Sequence, residues 1–180
     1  MGEVYPINIE GCKRELPICP LNAHVDIAGF VLFGDVEMTE KAAKALMARC
    51  PAHDIIVTAE SKGIPLAYEM ARIGCRRYVV ARKGVKAYMV DPIHVDVKSI
   101  TTDHVQRLYL SGDDRLTLEG RRILIVDDVV STGESLNAIE ELLKRIGGQV
   151  VGKACVLAEG DAKDRADIIY LEELPLFFKD

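Results

Sequence analysis

The chain has 180 residues, 49% of them hydrophobic and 28% charged, with a net charge of −5. That length supports one domain with a real core, and the acidic balance argues against nucleic acid as a partner. No apolar run approaches the roughly 20 residues of a membrane span, and the start, MGEVYPINIEGCKRELP, lacks the basic-then-apolar order of a signal peptide.

Residues 1–35 set prolines and glycines around short apolar pieces such as GFVLFG, and read as a small hood beside the main sheet. In TEKAAKALMARC a helix is expected, with Ala42, Ala43, Leu46, Met47 and Cys50 on one face and Thr39 as its N-cap. DIIVTA (54–59) reads as a strand, IPLAYEMARIG (64–74) as a helix ending at Gly74, and YVVA (78–81) as a second strand. Residues 93–111 break the alternation. Ile93, Val95 and Val97 repeat with period two before a polar turn, the pattern of an antiparallel flap. RRILIV (121–126) and VVGKACVLA (150–158) are continuously apolar, as strands covered on both faces are. Between them, ESLNAIEELLKRIGG places Leu136, Ile139, Leu142, Leu143 and Ile146 on one helical face and stops at Gly147 and Gly148. The tail EELPLFFKD is apolar enough to pack on a sheet edge or a partner. Strands alternating with helices imply an α/β fold with a parallel sheet core. The expected layout is a single domain over 1–180, with the hood at 1–35 and the core at 36–180.

Five scattered cysteines, Cys12, Cys19, Cys50, Cys75 and Cys155, form no C-x-x-C, and the four histidines lie far apart. Reduced thiols in a cytoplasmic protein follow from that pattern. No two soft ligands stand at zinc spacing.

RRILIVDDVVSTGES (121–135) carries the chemistry. A buried strand runs into Asp127 and Asp128, and a hydroxyl-and-glycine turn leads into a helix. In a parallel sheet, ligands bind beyond the carboxyl ends of the strands. The turn's N–H groups, the positive helix end and the hydroxyls of Ser131, Thr132 and Ser135 suit a phosphate, and Gly133 permits a backbone shape that a Cβ would obstruct. Two carboxylates beside a phosphate repel it, unless the ligand also carries hydroxyls. A ribose 5-phosphate has that shape, with its diol on the acids and its phosphate in the turn. The plainer alternative has Asp127 capping the turn and Asp128 solvated. A receiver-domain pocket also ends a strand on two acids, but there the pair closes the first strand.

ILIVDDVVSTGES resembles the phosphoribosyl-pyrophosphate (PRPP) loop of type I phosphoribosyltransferases. TAESKG (58–63) resembles that family's pyrophosphate loop, and ARKGVK (81–86) its basic segment, in the same order. The resemblance implies that Asp127 and Asp128 are the catalytic acids. It implies that Ser131, Thr132, Gly133, Glu134 and Ser135 hold the 5′-phosphate, and that Glu60, Ser61, Lys62, Arg82, Lys83 and Lys86 meet the pyrophosphate. The Glu60–Ser61 peptide, by position, would be the bond that is often cis in the family. Mg²⁺ is the implied cofactor, bound mainly through PRPP with Asp127 and Asp128 in support, and a homodimer is the implied assembly. Without the resemblance, Glu60 reads as a helix-start residue and Arg82, Lys83 and Lys86 as a solvated basic turn.

Layout and length look like adenine phosphoribosyltransferases, yet KSITTDH (98–104) stands where their flap carries S-Y-x-L-E-Y-G. Ser99–Thr102 and LNAHVD (21–26) are closer to xanthine phosphoribosyltransferases, which points to Asn22 as a base contact. An Asx turn after Pro20 explains Asn22 equally. The implied function is transfer of the phosphoribosyl group from PRPP to a purine of adenine or xanthine type, in purine salvage. Two other readings are a non-catalytic PRPP-sensing regulator of the same fold and a pyrimidine or orotate enzyme.

Overall fold

The computed structural model describes residues 2–97 and 106–179. In chain order, strands β1 (Val4–Ile9), β2 (Cys12–Pro20) and β3 (Val25–Ala28) precede helix α1 (Val36–Arg49), β4 (Ile55–Ala59), α2 (Ile64–Ile73) and β5 (Tyr78–Ala81). Next come β6 (Ile93–Val97), β7 (Gln106–Leu110), α3 (Gly112–Leu118), β8 (Arg122–Val130) and α4 (Glu134–Arg145). The chain closes with β9 (Gln149–Glu159), a short 3-10 helix (Gly160–Asp164), β10 (Glu172–Leu174) and β11 (Leu176–Phe178). No helix among the described residues is long and apolar enough to cross a membrane.

The core sheet has the order β10-β9-β8-β4-β5, and every neighbouring pair in it is parallel. Its apolar runs are continuous because successive residues serve opposite faces. Ile56, Leu124, Val126, Ala154 and Val156 pack on one side with α1, α2 and the hood. Ile55, Val57, Val79, Ile123, Ile125 and Cys155 pack on the other with α3, α4 and the flap strands. From β4 the chain steps to β5 on one side and then returns to β8 on the other. That reversal opens a crevice between the carboxyl ends of β4 and β8, the usual ligand position in such sheets.

Several elements depart from expectation. The N-cap of α1 is Asp35 rather than Thr39: the Asp35 carboxylate accepts from Met38 N, and the Thr39 hydroxyl donates to Asp35 O at 2.8 Å. The apolar face reaches back to the buried Met38, one turn earlier than the run of alanines suggests. Helix α3 was not expected, since the flap reading ended at residue 111. Ser111 starts it through a capping box with Asp114, a residue less usual there than Glu or Gln. The hood is a four-stranded antiparallel sheet, β1-β2-β3-β11, whose last strand comes from the C-terminal tail. The same tail adds β10 to the core edge, so it ties hood and core together. Strands β6 and β7 pair antiparallel as a flap should, while its tip, KSITTDH with Ser99–Thr102, lies outside the described residues.

Arg14 on β2 grips Asp35 with two nitrogens, at 2.7 and 2.9 Å, fastening the hood to the start of α1. That guanidinium holds the Asp35 carboxyl below the usual carboxylate range. A depressed value means the stabilisation is complete above the unfolded pKa of about 3.9 and is lost as pH falls through the folded one. Asp35→Ala is therefore expected to cost about 1 kcal/mol in urea unfolding at pH 7, and progressively less on acidification. A cost that stays constant to pH 2 would contradict this ion-paired cap.

Candidate active site

The acid pair does not end its strand, as the sequence had suggested. β8 continues to Val130, and β9 stays paired with it up to Val130↔Ala158. On the other edge, β4 pairs only as far as Val57↔Ile125. Beyond Ile125 one edge of β8 faces the crevice, and Asp127 and Asp128 lie on that stretch.

Asp128 is buried at 2% exposure, so it is not a solvated acid. Its Oδ2 has no hydrogen-bond partner among the described residues. Lys62 Nζ stands 3.3 Å from that oxygen, close enough to pair by charge without hydrogen-bond alignment. Asp127, half-buried, accepts the Asp128 backbone N–H at Oδ1, 2.9 Å away. Burial above all, and then the neighbouring Asp128 charge, push the Asp127 carboxyl well above the usual range.

The TAESKG loop comes up against Asp127 from the β4 side. A Cβ on Gly63 would sit 3.0 Å from Asp127 Oδ1 and would collide with the Thr58 hydroxyl. Only glycine lets this loop approach the acids so closely. The Glu60–Ser61 peptide is cis, and Ser61 and Lys62 are exposed at the crevice mouth. Glu60 itself turns toward the basic segment. Its carboxylate accepts from Lys83 N at 2.9 Å, with Arg82 Nε at 3.3 Å and Lys86 Nζ at 3.9 Å. The Lys83 N–H, and then the Arg82 and Lys86 charges, hold its carboxyl below the usual range. The Arg82 and Lys86 side chains thus gather around Glu60 rather than standing free in a solvated turn, while Lys83 contributes its N–H and is exposed. Arg82 also exchanges two backbone hydrogen bonds with Tyr109, which joins the flap to the end of β5.

After β8, Ser131, Thr132, Gly133, Glu134 and Ser135 form a loop that opens α4. Together with Asp127 and Val129 they line a concavity of about 160 Å³. Gly133 is the helix N-cap at φ +78°, a left-handed shape that suits glycine. Ser131, Thr132 and Ser135 are exposed and Gly133 is buried. The end of β8, Asp127, the loop and the start of α4 therefore share one crook, with Asp128 the next residue on the strand.

Asn22 lies on the hood, in the turn between β2 and β3. Its Oδ1 accepts from His24 N at 2.8 Å and Val25 N at 2.9 Å, so its acceptor serves its own turn. Two residues at the crook were not singled out from the sequence. Glu159 ends β9 beside Ser131 and Lys62, and burial raises its carboxyl while the Ser131 hydroxyl opposes that shift. Arg165 follows the 3-10 helix and lays its guanidinium against Gly133. Glu159 is the last residue of β9, a strand adjoining β8, and that position could have marked it; Arg165 comes back only after the 3-10 helix and carried no such signal.

A family model described as phosphoribosyl transferase domain matches residues 35–174. A hypoxanthine/guanine phosphoribosyltransferase of Methanococcus voltae is 37% identical over 115 residues, 62% of this chain and 56% of that protein. Another, from Methanothermococcus okinawensis, is 32% identical over 139 residues, 76% of this chain and 70% of that protein. The match thus spans little more than half the length of the first relative. The adenine phosphoribosyltransferase structure from Thermoanaerobacter pseudethanolicus superposes with a TM-score of 0.72 at 21% identity, covering 88% of this chain and 95% of that one. At that identity the likeness shows the fold.

A carboxyl with a raised folded pKa destabilises as pH climbs above its unfolded value of about 3.9. Asp127→Asn is expected to match the wild type near pH 4 and to exceed its stability at pH 8 by on the order of 1 kcal/mol or more. Urea unfolding at the two pH values tests this, and a less stable variant at pH 8 would contradict it.

Proposed function

The chain belongs to the phosphoribosyl transferase domain family, and from that membership we propose that it transfers the 5-phosphoribosyl group of PRPP to a purine base. A base nitrogen bonds to the anomeric carbon while the bond from that carbon to pyrophosphate breaks, and the nitrogen's proton passes to solvent. The observation that carries this reading is the buried Asp128 oxygen without a hydrogen-bond partner, one crook away from a loop suited to phosphate. Such an acceptor is costly to leave unmade. A ribose hydroxyl supplies the missing donor.

In this reading Asp127 and Asp128 accept from the ribose diol. The N–H groups of residues 131–135 and the Ser131, Thr132 and Ser135 hydroxyls take the 5′-phosphate. Glu134 contributes only its N–H, since its carboxylate has the phosphate's sign. Ser61, Lys62, Arg82, Lys83 and Lys86 meet the pyrophosphate, and Glu60 orients the basic cluster until that anion arrives. These groups position the sugar and stabilise charge as the leaving group departs. The acid pair supplies hard oxygen donors of the kind Mg²⁺ prefers. Among the described residues no cluster of three His, Cys, Asp or Glu side chains would cage an ion. Asp127 and Asp128 would accordingly support a Mg²⁺ brought mainly by PRPP, where it neutralises pyrophosphate charge.

For the base we propose a 6-oxopurine, the class that includes xanthine, hypoxanthine and guanine. The missing adenine-type flap pattern and the names of the archaeal relatives support that choice over adenine. Exposed Phe33, Val36, Tyr68 and Tyr78, with the two tyrosine rings 6.2 Å apart, form an apolar face that supports a homodimer. Scattered free cysteines support a cytoplasmic setting.

With PRPP and Mg²⁺, purified protein is expected to convert xanthine, hypoxanthine or guanine to its nucleotide at least tenfold faster than adenine. Pyrophosphate release and nucleotide formation are the readouts, and no product with any purine would overturn the proposal. The Asp127→Asn, Asp128→Asn double variant is expected to fold and to lose PRPP binding by about 100-fold, roughly 2.7 kcal/mol. Isothermal titration checks it, and unchanged affinity would exclude the diol role.

A further inference from the structure

Arg165 is the strongest feature near the crook that the proposed chemistry leaves unused. Its guanidinium is held as a fork: Nε and Nη2 donate to the two Asp167 oxygens at 3.0 and 2.9 Å. Asp167 is itself fixed by Lys153 Nζ on β9, at 3.0 Å, and the Lys153 side chain is only 11% exposed. That leaves Nη1 over Gly133, where a Cβ would overlap it and would lie 3.0 Å from Cζ. The line from β9 through Lys153, Asp167 and Arg165 therefore ends on the glycine that opens α4. A cation at a helix N-terminus has the same sign as the helix end, and a dianion in the adjoining loop satisfies both.

We infer that Arg165 is the positioning residue for the phosphate loop, holding residues 131–135 in shape from behind and matching the dianionic 5′-phosphate by charge. Resting on the phosphoribosyl reading, the inference deepens it, because it assigns Arg165 to the phosphate end of the substrate and not to the pyrophosphate end. Its role is indirect: the concavity is lined by the loop itself, and Arg165 stands outside that lining. The bidentate hold by Asp167 gives the guanidinium a direction that a lysine could not reproduce.

The test compares ribose 5-phosphate with pyrophosphate, each titrated with Mg²⁺ into wild type, Arg165→Ala, Arg165→Lys and Asp167→Asn. Arg165→Ala is expected to weaken ribose 5-phosphate about tenfold and to leave pyrophosphate within about twofold. Arg165→Lys should recover only part of the loss, and Asp167→Asn should show a smaller loss of the same selectivity. Wild-type affinity for ribose 5-phosphate should rise from pH 5.5 to 7.5, as the phosphate loses its second proton near pH about 6, and Arg165→Ala should flatten that rise. Should Arg165→Ala fail to fold, Asp167→Asn decides, since it keeps the guanidinium. Unchanged ribose 5-phosphate binding, or equal weakening of both ligands, overturns the assignment. A wild type that binds neither ligand removes the phosphoribosyl reading itself, and this inference with it.

Discussion

Two adjacent carboxylates on one buried strand are the constraint around which the rest of this structure is arranged. Like charges side by side in a low dielectric repel and resist ionisation, as the upward shift at Asp127 records. A chain retains such a pair only when its surroundings compensate. Here the compensation is partial: Lys62 pairs with Asp128 by charge, and the Asp128 N–H donates to Asp127. One buried oxygen is left over. A buried acceptor without a hydrogen bond costs stability, a cost that the fold carries at this pair.

Topology explains why the pair can be buried and still be reached. Reversal of strand order at β4 parts β4 from β8 beyond Ile125, while β9 goes on supporting β8 to its end. The acids keep a fully paired strand on one edge and face a crevice on the other. Gly63 lets the ESKG loop come up against Asp127 from the β4 side, and Gly133 turns the chain from β8 into α4. The basic cluster is carried in by β5, which delivers Arg82 next to Glu60 and to the flap strand β7. Three successive strand ends thus meet at one place, each with a different charge pattern.

Much of this was legible in the residues because it is local. YVVA is β5 from end to end, and the helical face from Leu136 to Leu143 is the buried face of α4. The ordered DD-then-STG string located the crook, since strand, turn and helix start all fall within a few residues. What was misread depends on contacts distant in sequence. Thr39 lost the cap to Asp35 because Arg14, on a different sheet, anchors Asp35. β8 outran its apolar stretch because β9 keeps pairing with it past the acids. The hood's fourth strand is the C-terminal tail, a partnership no local pattern encodes. Glu60, grouped with the anion ligands by motif, also has Arg82 and Lys86 beside its carboxylate, at 3.3 and 3.9 Å, which the motif does not indicate. Arg165 was invisible because the residue it lies against, Gly133, is a helix and a strand away.

The central claim is that the acid pair and the loop of residues 131–135 hold opposite ends of one phosphorylated ribose. A crystal structure with PRPP and Mg²⁺ bound tests it most directly. The account predicts the ribose hydroxyls within hydrogen-bond reach of Asp127 and Asp128, with the 5′-phosphate seated on the N–H groups between Ser131 and Ser135. PRPP bound elsewhere, or a reversed ligand with pyrophosphate in that loop, would contradict it.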